Sequence, residues 1–501
     1  MKAITEAQYN DKLQAGYNTI PVFEQLNQTF DLAQIYEAFC PDPAQGGLLE
    51  SGRTGKYSYI SFAPIARIQS KNGQVEMIIE GEDEPALFVS DDPLQQMKKL
   101  MNVWRAPLWT TGPDWQGGAL GFLSYDFGRH FKQIRDEAED DLQIHDLLFT
   151  IYRDVIAIDH EQQTTYLITN ALTERGDDYF AAIERIKKMK DLLLSLNAAE
   201  LAEEVSIQAE AESSERHLAI TPSFSKEQFM KAIVKIHEYI RADDVLQVNL
   251  SVRQDFPLPA TAWSVYCQLR KLNPSPYMAY LHYADYQVVS GSPELLIKIK
   301  DRNIITRPIG GTRPRGKDAE EDQRLTQDLI ENEKERAEHI MLVDLERNDL
   351  CKVCDPETVE VTDFMVIETY SHVIHLVSNI VGQLQSEKDV YDAIRATFPG
   401  GTITGEPKGR TMEIIEELEP TKRGLYTGSI GWIGFNGDLE LNIVIRTLLA
   451  KSGMGYVQAG AGVIIDSEPE AEYYESLKKA EALLKSVELS LVAEEQGAKR
   501  G

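Results

Sequence analysis

Up to Asp159 the apolar residues come in short runs of β type: Tyr57 to Phe62, Val75 to Ile79, Leu148 to Tyr152 and Val155 to Asp159. Branched and aromatic side chains in runs this short suit a pleated sheet. Lys71-Asn72-Gly73 separates the first two with residues that tolerate turn geometry. The period then changes, and Ile183, Ile186, Met189 and Leu193 recur at near-helical spacing. From Asn197 to Arg216 no apolar stripe is sustained, and six acidic residues stand against one Arg. Residues 197–222 therefore read as an acidic linker. Ser225 with Gln228 then forms a capping-box pattern, and Phe224 with Phe229 a hydrophobic staple. Phe229, Ile233, Ile236 and Ile240 mark the buried face of the helix that follows. From there to Val487, β-type and helical runs alternate irregularly, which predicts one large mixed α+β domain. Residues 488–501 read as a frayed polar tail.

The 501 residues allow two to four domains, and 43% hydrophobic with 26% charged residues excludes wholesale disorder. A net charge of −29 repels phosphate backbones and anionic surfaces, so neither nucleic acid nor membrane is an expected partner. No run of 18 apolar residues is present. Met1 to Glu6 lack a signal region, and four cysteines are too few for a disulfide framework. A cytoplasmic protein is expected.

Two helices place carboxylates on one face. Glu335 and Glu338 stand three apart in Glu335-Arg336-Ala337-Glu338-His339. A second helix is predicted from a Ser467 cap, with Pro469 and Glu470 in its first turn. Its Glu472, Glu475 and Lys479 share one face, and Leu477, Ala480, Leu484 and Val487 lie opposite. These are either two solvated faces or four carboxylates converging on a hard divalent cation. Glycine clusters at Gly310-Gly311, Gly400-Gly401, Gly405 and Gly460-Ala461-Gly462 permit close backbone approach to an anion. None fits a nucleotide-binding fingerprint. Arg307, Arg313, Arg315, Lys408 and Arg446 lie near them, which suits an anionic small molecule in an otherwise acidic chain. The lone Cys351-Lys352-Val353-Cys354 reads as packing, and His375 sits in an apolar run.

Pro308 to Gly316 (PIGGTRPRG), Glu335 to Asp349 (ERAEHIMLVDLERND), His375 to Ser378 and Gly401 to Lys408 follow in order. Gly424 to Gly428, Ile445-Arg446-Thr447 and Gly460 to Glu475 complete the set. Together they resemble the chorismate-utilising enzymes, which include the component I subunits of anthranilate synthase and aminodeoxychorismate synthase and the isochorismate and salicylate synthases. Leu48 to Ser51 and Gly117 to Asp126 resemble the N-terminal domain of the first two. The resemblance implies an α+β fold with a large mixed β-sheet core flanked by helices, as in anthranilate synthase component I. Residues 1–196 would be its N-terminal domain and 223–487 its chorismate-binding catalytic domain. It implies that Glu338 and Glu475 bind Mg²⁺, with Glu335 and Glu472 supporting the metal's waters. The ion would hold the ring carboxylate of chorismate near Gly460, Ala461, Gly462 and Lys479. Arg446 and Tyr426 would grip the enolpyruvyl side chain, and Gly311 and Thr312 would face the substrate. His375 and Thr402 would lie near the C4 hydroxyl that leaves, a departure that needs an acid.

Gln247 stands where isochorismate and salicylate synthases use a Lys to activate water, so ammonia is the expected nucleophile. None of the cysteines lies in a Gly-rich elbow, so the ammonia implies a separate glutamine amidotransferase subunit. Gln247-Val248-Asn249-Leu250 and Pro399-Gly400-Gly401-Thr402-Ile403-Thr404-Gly405 resemble the aminodeoxychorismate branch. Anthranilate synthases more often carry a second Val in the first motif, and they remain the alternative. Many aminodeoxychorismate synthases have a nucleophilic Lys where this chain has Gly310, and a Lys introduced there is expected to form an adduct at C2. Leu49, Glu50 and Ser51, with Asn273, Pro276, Tyr277 and Met278, resemble the tryptophan feedback site of anthranilate synthases. Asp243 and Glu406 depart from the usual Gly and Ala.

Overall fold

The computed structural model describes residues 4–52, 55–82, 84–108, 112–200, 218–369 and 373–498. Most of the expected acidic linker, residues 201–217, lies outside the described residues. Within them the β-type runs join into a 22-stranded hydrogen-bonded sheet flanked by 12 α-helices. The fold is α+β as expected, and the sheet's ladders between these strands are antiparallel. No helix among the described residues is long and apolar enough to cross a membrane.

Local signals account for several elements. Strands Tyr57–Lys71 and Gln74–Ile79 meet through Asn72 at φ 52° and Gly73 at φ 76°. Two successive positive φ values suit the right-handed strand twist. The two runs expected at 148–152 and 155–159 form one strand, Leu147–Asp159. The intervening charge does not break it, because buried Asp154 accepts from Thr169 Oγ1 and pairs with Arg153. Helix Lys226–Arg241 has the expected Ser225–Gln228 capping box, and the Phe224 and Phe229 rings lie 5.9 Å apart. Asp243, just past that helix, sits at φ 57°, a conformation that favours glycine.

Segments on either side of the linker share the sheet. Strand Gly47–Glu50 pairs with both Tyr57–Lys71 and Tyr277–His282, placing Glu50 opposite Met278. Strand Gly118–Leu123 pairs with Ser429–Gly434. Trp115 and Trp432 stack between them at 6.1 Å.

Two expectations at the C-terminus need correction. The single helix predicted from Ser467 through Val487 is two, Pro469–Lys478 and Glu481–Ala498. Arg446 donates a guanidinium nitrogen to the Lys479 carbonyl, which a continuous helix would give to the Leu483 N–H. Leu483 N–H bonds the Ala480 carbonyl instead. The cap of the first helix is also not Ser467, whose hydroxyl accepts from Ile464 N; Glu468 accepts from Ala471 N at 2.8 Å. The second helix continues through the expected frayed tail to Ala498, with Ser490 buried and Glu494 accepting from the Thr261 N–H and hydroxyl.

Candidate active site

Strand Gln247–Pro257 pairs with Met454–Val463, so that Asn249 faces Gly462 and Ser251 faces Gly460. Side chains alternate along a strand, so Gln247, Asn249, Gly460 and Gly462 share one face. The glycines make room: a Cβ at 462 would fall 2.2 Å from Gln247 Nε2, and one at 460 would fall 2.9 Å from Asn249 Oδ1. Gln247 Nε2 donates to Glu338 Oε1 at 3.1 Å. Asn332 caps helix Glu333–Cys351, presenting Glu335 in its first turn and Glu338 one turn on. At the other end of the glycine segment, Lys479 donates to the Gly460 carbonyl at 3.0 Å and pairs with Glu475 at 2.9 Å. Glu472 lies half-buried one turn before Glu475.

Thr402 donates to Glu294 Oε1 at 2.8 Å. Glu294 is 7% exposed. Burial pushes its carboxyl up from the ordinary 4.5 to about 7, against opposing help from the Thr402 hydroxyl and Lys479. The sequence reading missed this residue. Its signal was a single acid, in Ser292-Pro293-Glu294, between the apolar runs of strands Tyr286–Ser292 and Leu295–Lys300. A second buried acid, Glu346, is pushed up to about 8 by burial, with the Glu294 and Asp349 charges adding to it and the Thr306 hydroxyl opposing.

His375 and Thr312 face each other across strands Val373–Gln383 and Ile309–Pro314. The register slips between Gly310 and Thr312, and Gly311 takes φ 40° at the bulge. Glu335 packs on that bulge, 2.8 Å from where a Gly311 Cβ would lie. Burial pulls the His375 imidazole down to about 4; a hydrogen bond to the Gly311 backbone opposes this and nearby Arg446 adds to it. Glu294 beside Thr402 holds its proton to a higher pH than His375 does, which matches it better to an acid's role near pH 7. Tyr426 is buried and Arg446 half-buried near it, the Tyr426 and Glu475 charges partly offsetting the burial that lowers the Arg446 guanidinium. Of the five basic residues near the glycine clusters, Arg307, Arg313, Arg315 and Lys408 pair with Glu368, Glu335, Asp322 and Asp349. Arg446 has no ion-pair partner among the described residues, which leaves it for an anion.

Gly310 does not offer open space. A Cβ there would lie 2.3 Å from His339 Nδ1, inside the wholly buried ring whose Nε2 bonds Ser378 Oγ at 2.7 Å. A Lys at 310 therefore collides with His339, contrary to the expectation of a ready adduct.

Among the described residues no three His, Cys, Asp or Glu side chains gather into a group that could hold a metal ion. The four glutamates split: Glu335 spends an oxygen on Arg313 at 2.8 Å, whereas Glu338 and Glu475 approach opposite ends of Gly460–Gly462. Mg²⁺ takes one or two protein carboxylates and fills its other positions with water, so Glu338 and Glu475 are the pair that would serve it.

Leu49, Glu50, Ser51, Pro276, Tyr277 and Met278 line one cavity with Trp432. Asn273 lies outside that lining, at the C-terminal end of helix Ala262–Leu272. Glu50 is engaged by Arg270 at 2.9 Å and by the Tyr266 hydroxyl at 2.7 Å.

A family model described as chorismate binding enzyme matches residues 46–485. Aminodeoxychorismate synthase component 1 of Bacillus subtilis (strain 168) is 48% identical over 457 residues, covering 91% of this chain and 94% of that protein. Anthranilate synthase component 1 of Acetivibrio thermocellus is 37% identical over 482 residues, covering 94% and 96%. The crystal structure of anthranilate synthase component I from Streptococcus pneumoniae TIGR4 superposes with a TM-score of 0.73 at 32% identity, covering 87% of this chain and 93% of that one.

Proposed function

The chain belongs to the chorismate-binding enzymes, and we propose that it is the aminodeoxychorismate synthase among them, converting chorismate and ammonia to 4-amino-4-deoxychorismate. The observation that carries this reading is the 48% identity to a relative of that name, against 37% to an anthranilate synthase component 1. The Gln247 to Leu250 motif, opposite Gly460–Gly462, and the Pro399 to Gly405 motif, which holds Thr402, agree with it. Gln247 presents a neutral amide where a water-activating Lys would stand, and an amide is no base, so ammonia rather than water is the nucleophile.

Glu294 gives its proton to the leaving C4 hydroxyl, with Thr402 orienting it. One C–O bond breaks and one C–N bond forms; water departs, and the proton shed by the incoming nitrogen restores Glu294. Arg446 and Tyr426 receive the enolpyruvyl carboxylate, and Lys479 with the glycine backbone receives the ring carboxylate. Glu338 and Glu475, with Glu335 and Glu472 behind them, would hold Mg²⁺. When bound, the ion neutralises the ring carboxylate of a dianionic substrate. Ammonia would come from a separate glutaminase, since none of the four cysteines lies in a Gly-rich elbow and burial raises the thiols of Cys40, Cys267 and Cys354.

One observation favours anthranilate as the product, namely the cavity at Glu50 that resembles a tryptophan feedback site. Tryptophan inhibition relieved by Glu50→Ala would support that second reading. The test of the ammonia and metal assignments is chorismate consumption titrated with ammonium and Mg²⁺, with Mg²⁺ binding followed by calorimetry. Glu338→Gln and Glu475→Gln are expected to lose both Mg²⁺ binding and turnover while the far-ultraviolet spectrum is kept. Unchanged turnover at low Mg²⁺ in both variants would refute the metal assignment.

A further inference from the structure

We propose that the side-chain oxygens of Gln247 and Asn249 form the seat of the nitrogen nucleophile, with Asn249 fixing its orientation; this rests on the ammonia-using reading above. The two residues stand on one face of strand Gln247–Pro257 and are 4% and 8% exposed. Gln247 Oε1 and Asn249 Oδ1 are both buried and find no hydrogen-bond donor among the described residues. Buried carbonyl oxygens are normally paired, and two orphans on one face call for a donor from outside the protein.

Their neighbours cannot supply one. Gly460 and Gly462 across the ladder have no side chains. The Ser251 hydroxyl is spent on Glu419 at 2.8 Å, and the Gln458 amide nitrogen on Ser251 Oγ at 2.8 Å. The Lys479 ammonium gives two of its three N–H groups to the Gly460 carbonyl and Glu475, and the third is assigned to the ring carboxylate. Gln247 is further constrained, because its amide nitrogen is held by Glu338 at 3.1 Å and its oxygen must point away from that carboxylate.

The chemistry of the pair selects its guest. Ionised carboxylates only accept hydrogen bonds, so neither carboxylate of chorismate suits two acceptor oxygens. Its one hydroxyl is assigned to Thr402 and Glu294. Ammonia brings three N–H donors and one lone pair; giving two N–H groups to the two amides aims the lone pair away from them. Neutral amide oxygens also favour the unreactive ammonium ion less than a carboxylate would.

The experiment uses the purified chain with ammonium as nitrogen source and reads chorismate consumption, so product identity does not enter. Asn249→Val is expected to raise KM for ammonium about tenfold or more while KM for chorismate stays within about twofold. Asn249→Asp keeps an acceptor and is expected to hold KM for ammonium within about threefold while lowering kcat, because it retains the nitrogen as ammonium. An unchanged ammonium KM in Asn249→Val, an equal rise in both KM values, or the same ammonium KM rise in Asn249→Asp overturns the seat. Should the Val variant fail to fold, Asn249→Ala, which also lacks an acceptor, takes its place with the same expectation. If the unmodified protein makes anthranilate, the product reading fails while the ammonium KM still tests the seat; consumption that ignores ammonium defeats both.

Discussion

Glu294 stays protonated up to about pH 7 because burial penalises its charged form more than Thr402 and Lys479 relieve it. In the proposed reaction this proton goes to the leaving hydroxyl, so kcat is expected to fall about tenfold per pH unit above about 7. Glu294→Gln is expected to lower kcat roughly 10²- to 10⁴-fold with chorismate binding retained. The stability effect has a definite sign. A carboxyl raised from 4.5 to about 7 binds more protons folded than unfolded, so the fold loses stability as pH rises through that window. Glu294→Gln removes this loss, and its melting temperature should gain on the parent's between pH 5 and 8. Little of this was legible in the sequence, because one Glu between two apolar runs shows neither its burial nor its approach to Thr402. Arg446 was more legible, since its motif and its nearness to glycine clusters both pointed to an anion.

Elements were legible where their signals are local. The Ser225–Gln228 box and the Phe224–Phe229 staple fall within a few residues, and both are present. Ser225→Ala is expected to cost about 1 kcal/mol in denaturant unfolding and leave kcat unchanged. The break at Lys479 was not legible, because the group that takes its carbonyl, Arg446, comes from 33 residues earlier. Gly310 teaches the same lesson: permissive in sequence, it is closed by His339 from a facing helix. Gly310→Lys alone is expected to melt several degrees lower and give no lysine adduct by mass spectrometry. Adding His339→Ala should recover part of the loss, since it removes the atoms a Cβ would meet.

The whole molecule is tied together by ladders that no periodicity reveals. Strand Gly47–Glu50 completes the sheet beside Tyr277–His282, and Gly118–Leu123 does so beside Ser429–Gly434. A fragment beginning at residue 223 would expose both edges and the Trp432 face that Trp115 covers. It is expected to be insoluble or to lack a cooperative melt, whereas the full chain should unfold in one transition. The α+β class was readable from the irregular alternation of runs, but strand order was not, because pairing across hundreds of residues leaves no local mark. In the proposed reaction the assembled site replaces the C4 hydroxyl of chorismate with an amino group. The most direct test incubates the unmodified protein with chorismate, Mg²⁺ and ammonium and identifies the product by chromatography and mass. The expected product is 4-amino-4-deoxychorismate, with 4-aminobenzoate appearing only after a lyase is added; anthranilate formed without any lyase would overturn the assignment.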